Sequence, residues 1–147
     1  MVTGSRATTL HFNLDRPVVA DINVRNAISM CIDREAYCQV LVNNTAEPSY
    51  GIFSTAMPYG GTDGLKLNVD AYDPEGARSL LASAGYADSD GDGILDKDGV
   101  SLEMTIITFA SRNELSQFCD ALQSVLGEIG IKLNVEVMES TSDAQAS

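Results

Sequence analysis

Residues 100–138 read VSLEMTIITFASRNELSQFCDALQSVLGEIGIKLNVEVM, which is a strand pattern, a helix pattern and a second strand pattern in immediate succession. The first strand pattern is rich in β-branched residues. The helix pattern carries an apolar stripe from Leu115 to Ile129, and Gly130 can end that helix. The last eight residues alternate between apolar and polar. This order predicts two parallel strands joined by a crossover helix.

The alternation in the second strand conflicts with its predicted parallel pairing. Parallel strands are normally covered on both faces and are therefore apolar throughout. We expect one face of this strand to meet water, a polar cleft or a further part of a larger protein.

The upstream half of the chain adds helices to this unit. Residues 8–13 have the pattern of a short strand, and residues 21–44 that of one helix capped by Asp21. Residues 72–86 predict another helix, with Asp73 as its cap and Gly85 at its end. The predicted fold class is α/β, with strand-helix-strand units, a sheet that contains parallel strands, and flanking helices.

Residues 43–72 predict an irregular crossing because prolines and glycines interrupt every periodic pattern. Long crossings of this kind usually carry function or contact another part of a protein. The candidate ligand-binding residues of the crossing are Tyr50, Phe53, Met57 and Tyr59. The alternative is that these side chains only anchor a long loop. Residues 140–147 form a polar tail, and we treat 1–147 as a single partial domain.

The composition narrows the function classes. Nine basic and 21 acidic residues give a net charge of −12, which disfavours nucleic acid and anionic membranes as partners. No apolar run approaches the roughly 20 residues that span a bilayer. The sequence has no recognisable catalytic motif, so we predict a protein that is not an enzyme. The cysteines Cys31, Cys38 and Cys119 are expected to be free thiols.

The stretch DSDGDGILDKDG, residues 88–99, begins as an EF-hand calcium loop does. The twelfth position of such a loop is a bidentate glutamate, but Gly99 stands there, and a strand pattern replaces the second helix. Two interpretations stay open. One is a hairpin that turns at Asp98-Gly99 and joins residues 94–95 to residues 100–102, with the other aspartates in solvent. The other is a structural calcium ion held by the remaining acidic side chains, which are Asp88, Asp90, Asp92 and Asp96.

Five segments resemble a known family in their order and spacing. They are LHFN (10–13), INVRNAISMCIDREAYCQVL (22–41), AEPSYGIFSTAMPYG (46–60), YDPEGARSLLASAGYADSDGDGILDKDGVSLEMTI (72–106) and ALQSVLGEIGIKLNVEVME (121–139). Together they resemble the family 5 extracellular solute-binding proteins, which are the receptors of peptide and nickel ABC importers.

The resemblance implies a fragment of the second large lobe of a periplasmic-binding-protein-like receptor that closes on its ligand. It implies a peptide or a nickel chelate as the ligand of the full-length protein, and an ABC permease as its partner. It also implies an extracytoplasmic location, with a signal or lipoprotein anchor upstream of residue 1, and a fragment that lacks most of the pocket. The alternative is a calcium-dependent extracellular interaction module that uses the loop from Asp88 to Asp96.

Overall fold

The computed structural model describes residues 8–40, 43, 45–49, 71–111 and 113–139. Within these ranges it has five helices and four strands, and none of these helices is long and apolar enough to cross a membrane. In chain order they are α1 (Pro17–Ala20), α2 (Ile22–Met30), α3 (Arg34–Val40), α4 (Pro74–Ser83), β1 (Asp96–Lys97), β2 (Val100–Ser101), β3 (Glu103–Phe109), α5 (Asn113–Glu128) and β4 (Lys132–Met138).

The strand-helix-strand unit has the predicted arrangement. Strands β3 and β4 pair in parallel along their whole length, with Glu103 opposite Lys132 and Phe109 opposite Met138. Helix α5 connects the two strands and packs on both of them. The predicted α/β class and the parallel sheet are therefore confirmed.

The first strand pattern is divided into two strands that belong to different sheets. Val100 and Ser101 pair antiparallel with β1 in a hairpin, whereas residues 103–109 join the parallel sheet. Leu102 lies at the junction and is fully buried. Its N–H donates to Leu95 of the hairpin, while its C=O accepts from Lys132 of β4. The division follows from these two partners, which a single-strand pattern does not reveal.

The prediction of one helix over residues 21–44 is wrong at its centre. Asp21 caps α2 as expected, because Asn23 N donates to its Oδ1 at 2.9 Å. The helix then ends at Met30, and α3 starts after Asp33, which accepts from Ala36 N at 2.9 Å. Asp33 acts as the cap of a second helix. The apolar spacing in the sequence continues across the gap between the two helices and therefore does not reveal it.

Residues 8–13 do not form a strand, because no strand among the described residues pairs with them. Their side chains nevertheless alternate as in a strand, since Leu10 and Phe12 pack on the core while His11 is exposed. The described parts of the predicted crossing, 43, 45–49, 71 and 72, contain neither helix nor strand. The remainder of that crossing and the tail at 140–147 lie outside the described residues.

One hydrophobic core lies between α2, α4, α5 and one face of the parallel sheet. Its fully buried side chains include Val24, Ile28, Cys31, Leu81, Leu102, Leu122, Leu126 and Ile131. Helix α4 has its predicted ends: Gly76 N donates to Asp73, and Gly85 has a φ of 91°. At that end Tyr86 N donates to Leu81 O, which directs the chain into the aspartate-rich loop.

Candidate functional site

The aspartate-rich loop ends in a tight hairpin. Strands β1 and β2 pair antiparallel, and the turn residues Asp98 and Gly99 have φ values of 55° and 77°. Two successive positive φ values define the type I′ turn, which favours an aspartate or asparagine followed by glycine. The predicted turn is therefore present, but the first strand of the hairpin is residues 96–97 and not 94–95, and it pairs with residues 100–101.

Three of the four predicted calcium ligands lie close together. Carboxylate oxygens of Asp88, Asp90 and Asp92 approach within 4.8 Å of one another, and all three side chains are exposed. Their oxygens already accept backbone N–H groups of the loop. Gly91 N and Gly93 N donate to Asp88, while Ile94 N donates to Asp92. The group offers three oxygen donors of the kind that Ca²⁺ prefers, whereas Ca²⁺ takes six to eight in all.

Asp96, the fourth predicted ligand, makes different contacts. Its Oδ2 accepts from the backbone N of Ser89 at 3.0 Å and from the Ser89 hydroxyl at 2.6 Å. The hydroxyl first, and then the backbone N–H, lower the pKa of the Asp96 carboxyl. The Asp96 side chain thus joins the start of β1 to Ser89 in the loop. It lies apart from the group that the other three aspartates form.

The loop is also joined to the core at several points. Leu95 N donates to Gly130 O at 2.8 Å, directly before β4. Lys97 Nζ lies 3.8 Å from Asp21 Oδ2 and 5.0 Å from the centre of the Tyr86 ring. The Tyr86 hydroxyl donates to the same Asp21 oxygen at 3.0 Å. The sequence predicted Asp21 only as a helix cap. Its other two partners, Tyr86 and Lys97, lie 65 and 76 positions further along the chain.

The candidate ligand-binding residues Tyr50, Phe53, Met57 and Tyr59 lie outside the described residues. Next to that segment, Tyr72 is 48% exposed. Tyr37 and Phe118 form an aromatic pair with ring centroids 4.8 Å apart, which joins α3 to α5. Burial is the main factor that raises the pKa of Tyr37 to about 12, so this pair is part of the packing.

A shallow groove of about 320 Å³ lies beside β4. It is lined by Gly93 and Ile94 of the loop, by Gln123 and Gly127 of α5, and by residues 130–134. Gln123 Nε2 closes one side by donating to Leu133 O at 2.6 Å. Lys132 is the single charged residue of this lining, so the groove has no acid and base pair for catalysis.

The described residues form an α/β core with a parallel sheet and a long loop that is fastened to it. The chain belongs to the bacterial extracellular solute-binding proteins of family 5, whose sequence model, for the middle part of these proteins, matches residues 2–147. This is a solute-binding family, in agreement with the prediction that the chain is not an enzyme.

Individual relatives show the same likeness over a limited length. The probable ABC transporter-binding protein of Deinococcus radiodurans is 30% identical over 138 residues, which is 86% of this chain and 22% of the relative. The structure of the oligopeptide-binding protein AppA from Bacillus subtilis, in complex with a nonapeptide, has a TM-score of 0.84 and 26% identity. It aligns with 91% of this chain, which covers 26% of AppA.

A nickel receptor is similar as well. The structure of NikZ from Campylobacter jejuni in complex with Ni(L-His) has a TM-score of 0.72 at 27% identity, over 89% of this chain and 26% of NikZ. The chain therefore spans about a quarter of the length of the proteins it resembles.

Proposed function

We propose that this chain forms part of one lobe of the ligand receptor of an ABC importer, and that the imported solute is a peptide. The observation that supports a peptide is the similarity to AppA. The aligned part of AppA, whose structure contains a nonapeptide, has a TM-score of 0.84.

The proposed mechanism makes and breaks no covalent bond. A peptide binds between two lobes, the lobes close about a hinge, and the closed form is recognised by the permease. The β3-α5-β4 unit and its core supply a rigid body for this movement. The proposed location is extracytoplasmic, either periplasmic or at the cell surface through a lipoprotein anchor.

We further propose that 1–147 is a partial domain and that most of the pocket is formed by other parts of the receptor. Within the chain, the crossing at 43–72 with Tyr50, Phe53, Met57 and Tyr59 remains the proposed contribution to the cleft.

The aspartate-rich loop has a structural role in this proposal. Lys97 lies beside the Asp21 cap of α2, Asp96 and Ala87 exchange backbone hydrogen bonds, and Leu95 N donates to Gly130 O directly before β4.

A nickel chelate is the second candidate ligand, and the similarity to NikZ favours it. Two chimeric receptors separate the candidates. This chain replaces the matching quarter of AppA in one and that of NikZ in the other, and each is titrated calorimetrically with the nonapeptide and with Ni(L-His). We expect the AppA chimera to retain nonapeptide binding and the NikZ chimera to lose Ni(L-His). Loss of nonapeptide binding by the AppA chimera together with retained Ni(L-His) binding by the NikZ chimera would favour a nickel chelate as the ligand.

A further measurement tests the fragment proposal itself. The isolated 147-residue chain is expected to bind neither ligand, so its melting temperature stays the same with and without them. A ligand at 100 times its dissociation constant would stabilise the chain by about 2.7 kcal/mol. A rise of that size would show that the pocket lies within these residues and would contradict the proposal.

A further inference from the structure

Aspartates that are directly followed by glycine occur three times among the described residues. The pairs are Asp90-Gly91, Asp92-Gly93 and Asp98-Gly99, and a fourth pair, Asp63-Gly64, lies outside the described residues. In such a pair, the glycine nitrogen lies within reach of the aspartate carboxyl carbon Cγ, and glycine has no side chain that hinders the approach. The nitrogen can therefore attack Cγ wherever both groups are free and the backbone can rotate.

Hydrogen bonds of the aspartate-rich loop occupy these groups in the first two pairs. Gly91 N donates to Asp88 Oδ1 at 2.8 Å, and Gly93 N donates to Asp88 Oδ2 at 3.1 Å. Asp90 and Asp92 each accept the backbone N–H two residues further along the chain. An amide nitrogen attacks only after it loses its proton, and a carboxylate that accepts a hydrogen bond from this N–H opposes the loss. The fold therefore protects both pairs.

The Asp98-Gly99 pair has neither protection. Among the described residues, the Gly99 N–H has no hydrogen-bond acceptor and the Asp98 carboxylate accepts no hydrogen bond. Both residues are exposed. Attack requires the Asp98 backbone to rotate out of the turn, which separates β1 from β2 at this end. These strands are joined at only two residue pairs, and so short a pairing in solvent opens at small cost.

We propose that Asp98 is a site of spontaneous isomerisation to isoaspartate, and that it reacts faster than Asp90 and Asp92 in the folded chain. The reaction is intramolecular apart from water, so no enzyme, oxidant or other reactant is needed. It also does not depend on the proposed function, because every group that takes part belongs to this chain.

The reaction has two steps that balance. In the first, Gly99 N forms a bond to Cγ of the protonated Asp98 carboxyl, and the carboxyl OH leaves with the amide proton as one water molecule. The product is a five-membered cyclic imide. In the second step, water adds to one of the two imide carbonyl carbons and breaks its bond to nitrogen. Opening at the main-chain carbonyl carbon of Asp98 gives isoaspartate, whose mass equals that of aspartate.

Isomerisation at this position changes the backbone of the hairpin. The chain then runs through Cβ and Cγ of residue 98, which adds a methylene to a turn of two residues and leaves the former main-chain carboxyl as the free acid. The pairing of Lys97 with Val100 depends on the shorter turn. Lys97 Nζ lies 3.8 Å from Asp21 Oδ2, so we expect the modified chain to lose this contact between the hairpin and α2.

The heavy isotope of oxygen locates the reaction, because every hydrolysis of the imide adds one oxygen atom from water. The isolated chain is incubated for several weeks at pH 7 in water enriched in this isotope, folded or in urea, and is then cleaved after Lys97. This cleavage separates Asp98 from Asp90 and Asp92, and mass spectrometry measures the label in each peptide. We expect the folded chain to label Asp98 at least about tenfold faster, since a hydrogen bond to a charged group must first break at the other two. In urea the rates should become similar.

Two variants test the structural cause. Asp98→Ser removes the attacked carboxyl and should abolish labelling of its peptide. Asp88→Ala removes the acceptor of the two loop glycine amides, so labelling of Asp90 and Asp92 should rise towards the rate of Asp98. The Asp98 rate should not change in this variant and serves as its internal control. Circular dichroism confirms that both variants are folded.

Three results would overturn the proposal. The first is equal or faster labelling of Asp90 and Asp92 in the folded chain. The second is labelling of Asp98 in urea alone, which would show that the paired hairpin holds the turn closed. The third is a folded Asp88→Ala variant in which the two loop aspartates stay as slow as before. Should this variant fail to fold, the comparison of folded and urea-treated wild type still decides.

Discussion

Asp21 has three roles at one carboxylate. It accepts the Asn23 N–H as the cap of α2, it accepts the Tyr86 hydroxyl, and it lies 3.8 Å from Lys97 Nζ. The backbone hydrogen bond is the largest cause that lowers the pKa of Asp21, and Tyr86 and Lys97 act in the same direction against partial desolvation. The ionised carboxylate therefore stabilises the fold above the pKa of an unfolded aspartate, and this stabilisation disappears as the pH falls through the lower folded value.

Replacing Asp21 tests this account. Asp21→Ala is expected to lower the free energy of unfolding at pH 7 by about 1–2 kcal/mol, while Asp21→Asn, which can still cap, loses less. Asp15→Ala, an exposed position, should stay within about 0.5 kcal/mol of the wild type. Urea denaturation at pH 7 and at pH 3 is the measurement. The deficit of Asp21→Ala should shrink at the lower pH, and a deficit that stays constant would contradict the role of the charge.

The three cysteines differ in burial and therefore in reactivity. Cys31 is fully buried, and burial raises the pKa of its thiol to about 11, while burial also raises the pKa of Cys119. Cys38 is half-buried, and its pKa is raised by burial and then by the nearby Glu47. Since the thiolate is the reactive form, only about one Cys31 thiol in a thousand is ionised at pH 8.

We predict that one thiol reacts with iodoacetamide in the folded chain at pH 8 and that all three react in urea. Mass spectrometry of the digested protein should place the first label on Cys38. A Cys38→Ser variant should remain unlabelled until it unfolds. Fast labelling of Cys31 or Cys119 in the folded chain would show that this part of the core opens readily.

At the scale of elements, the junction between α5 and β4 depends on one close approach. Gly130 has a φ of 85°, and a Cβ there would lie 2.7 Å from Leu95 Cγ. The same residue accepts Leu95 N through its carbonyl, so the aspartate-rich loop is held against the helix end. Gly91 has a similar φ of 80°, but a Cβ there would meet nothing within 4 Å.

These two glycines make a controlled comparison. Both alanine variants place a side chain in the left-handed region, which costs roughly 1–2 kcal/mol. Gly130→Ala adds overpacking against Leu95, for a total loss of about 2–4 kcal/mol. Urea unfolding of the two variants should therefore differ by about 1–2 kcal/mol. Equal losses would mean that Leu95 moves aside freely.

At the scale of the whole molecule, the net charge is −12, and three of the 21 acidic residues, Asp88, Asp90 and Asp92, are grouped in one loop. Because like charges repel, Asp90→Asn is expected to raise the melting temperature in EDTA at low ionic strength, and added salt should reduce the difference. Ser101→Ala, at an exposed position of the adjoining hairpin, leaves the number of carboxylates unchanged and serves as the control.

The same proteins test the predicted calcium site. A rise in the wild-type melting temperature with millimolar calcium, lost in Asp90→Asn, would support an ion held by Asp88, Asp90 and Asp92. Equal melting with calcium and with EDTA would leave this segment as a hairpin loop alone. Either result is compatible with the proposed transport function, which does not use the loop as a ligand site.

The sequence by itself determined the features that depend on neighbours in the chain. The parallel β3-α5-β4 unit, the caps at Asp21 and Asp73, the helix end at Gly85 and the Asp98-Gly99 turn follow from local periodicity, hydrogen bonding and backbone sterics. Only the tertiary structure decided the features that join distant residues. It divided the first strand at Leu102, separated Asp96 from the other aspartates and brought Tyr86 and Lys97 to Asp21. Local patterns carry no information on such partners, because the hydrogen bonds and burial that select them exist only once the chain has folded.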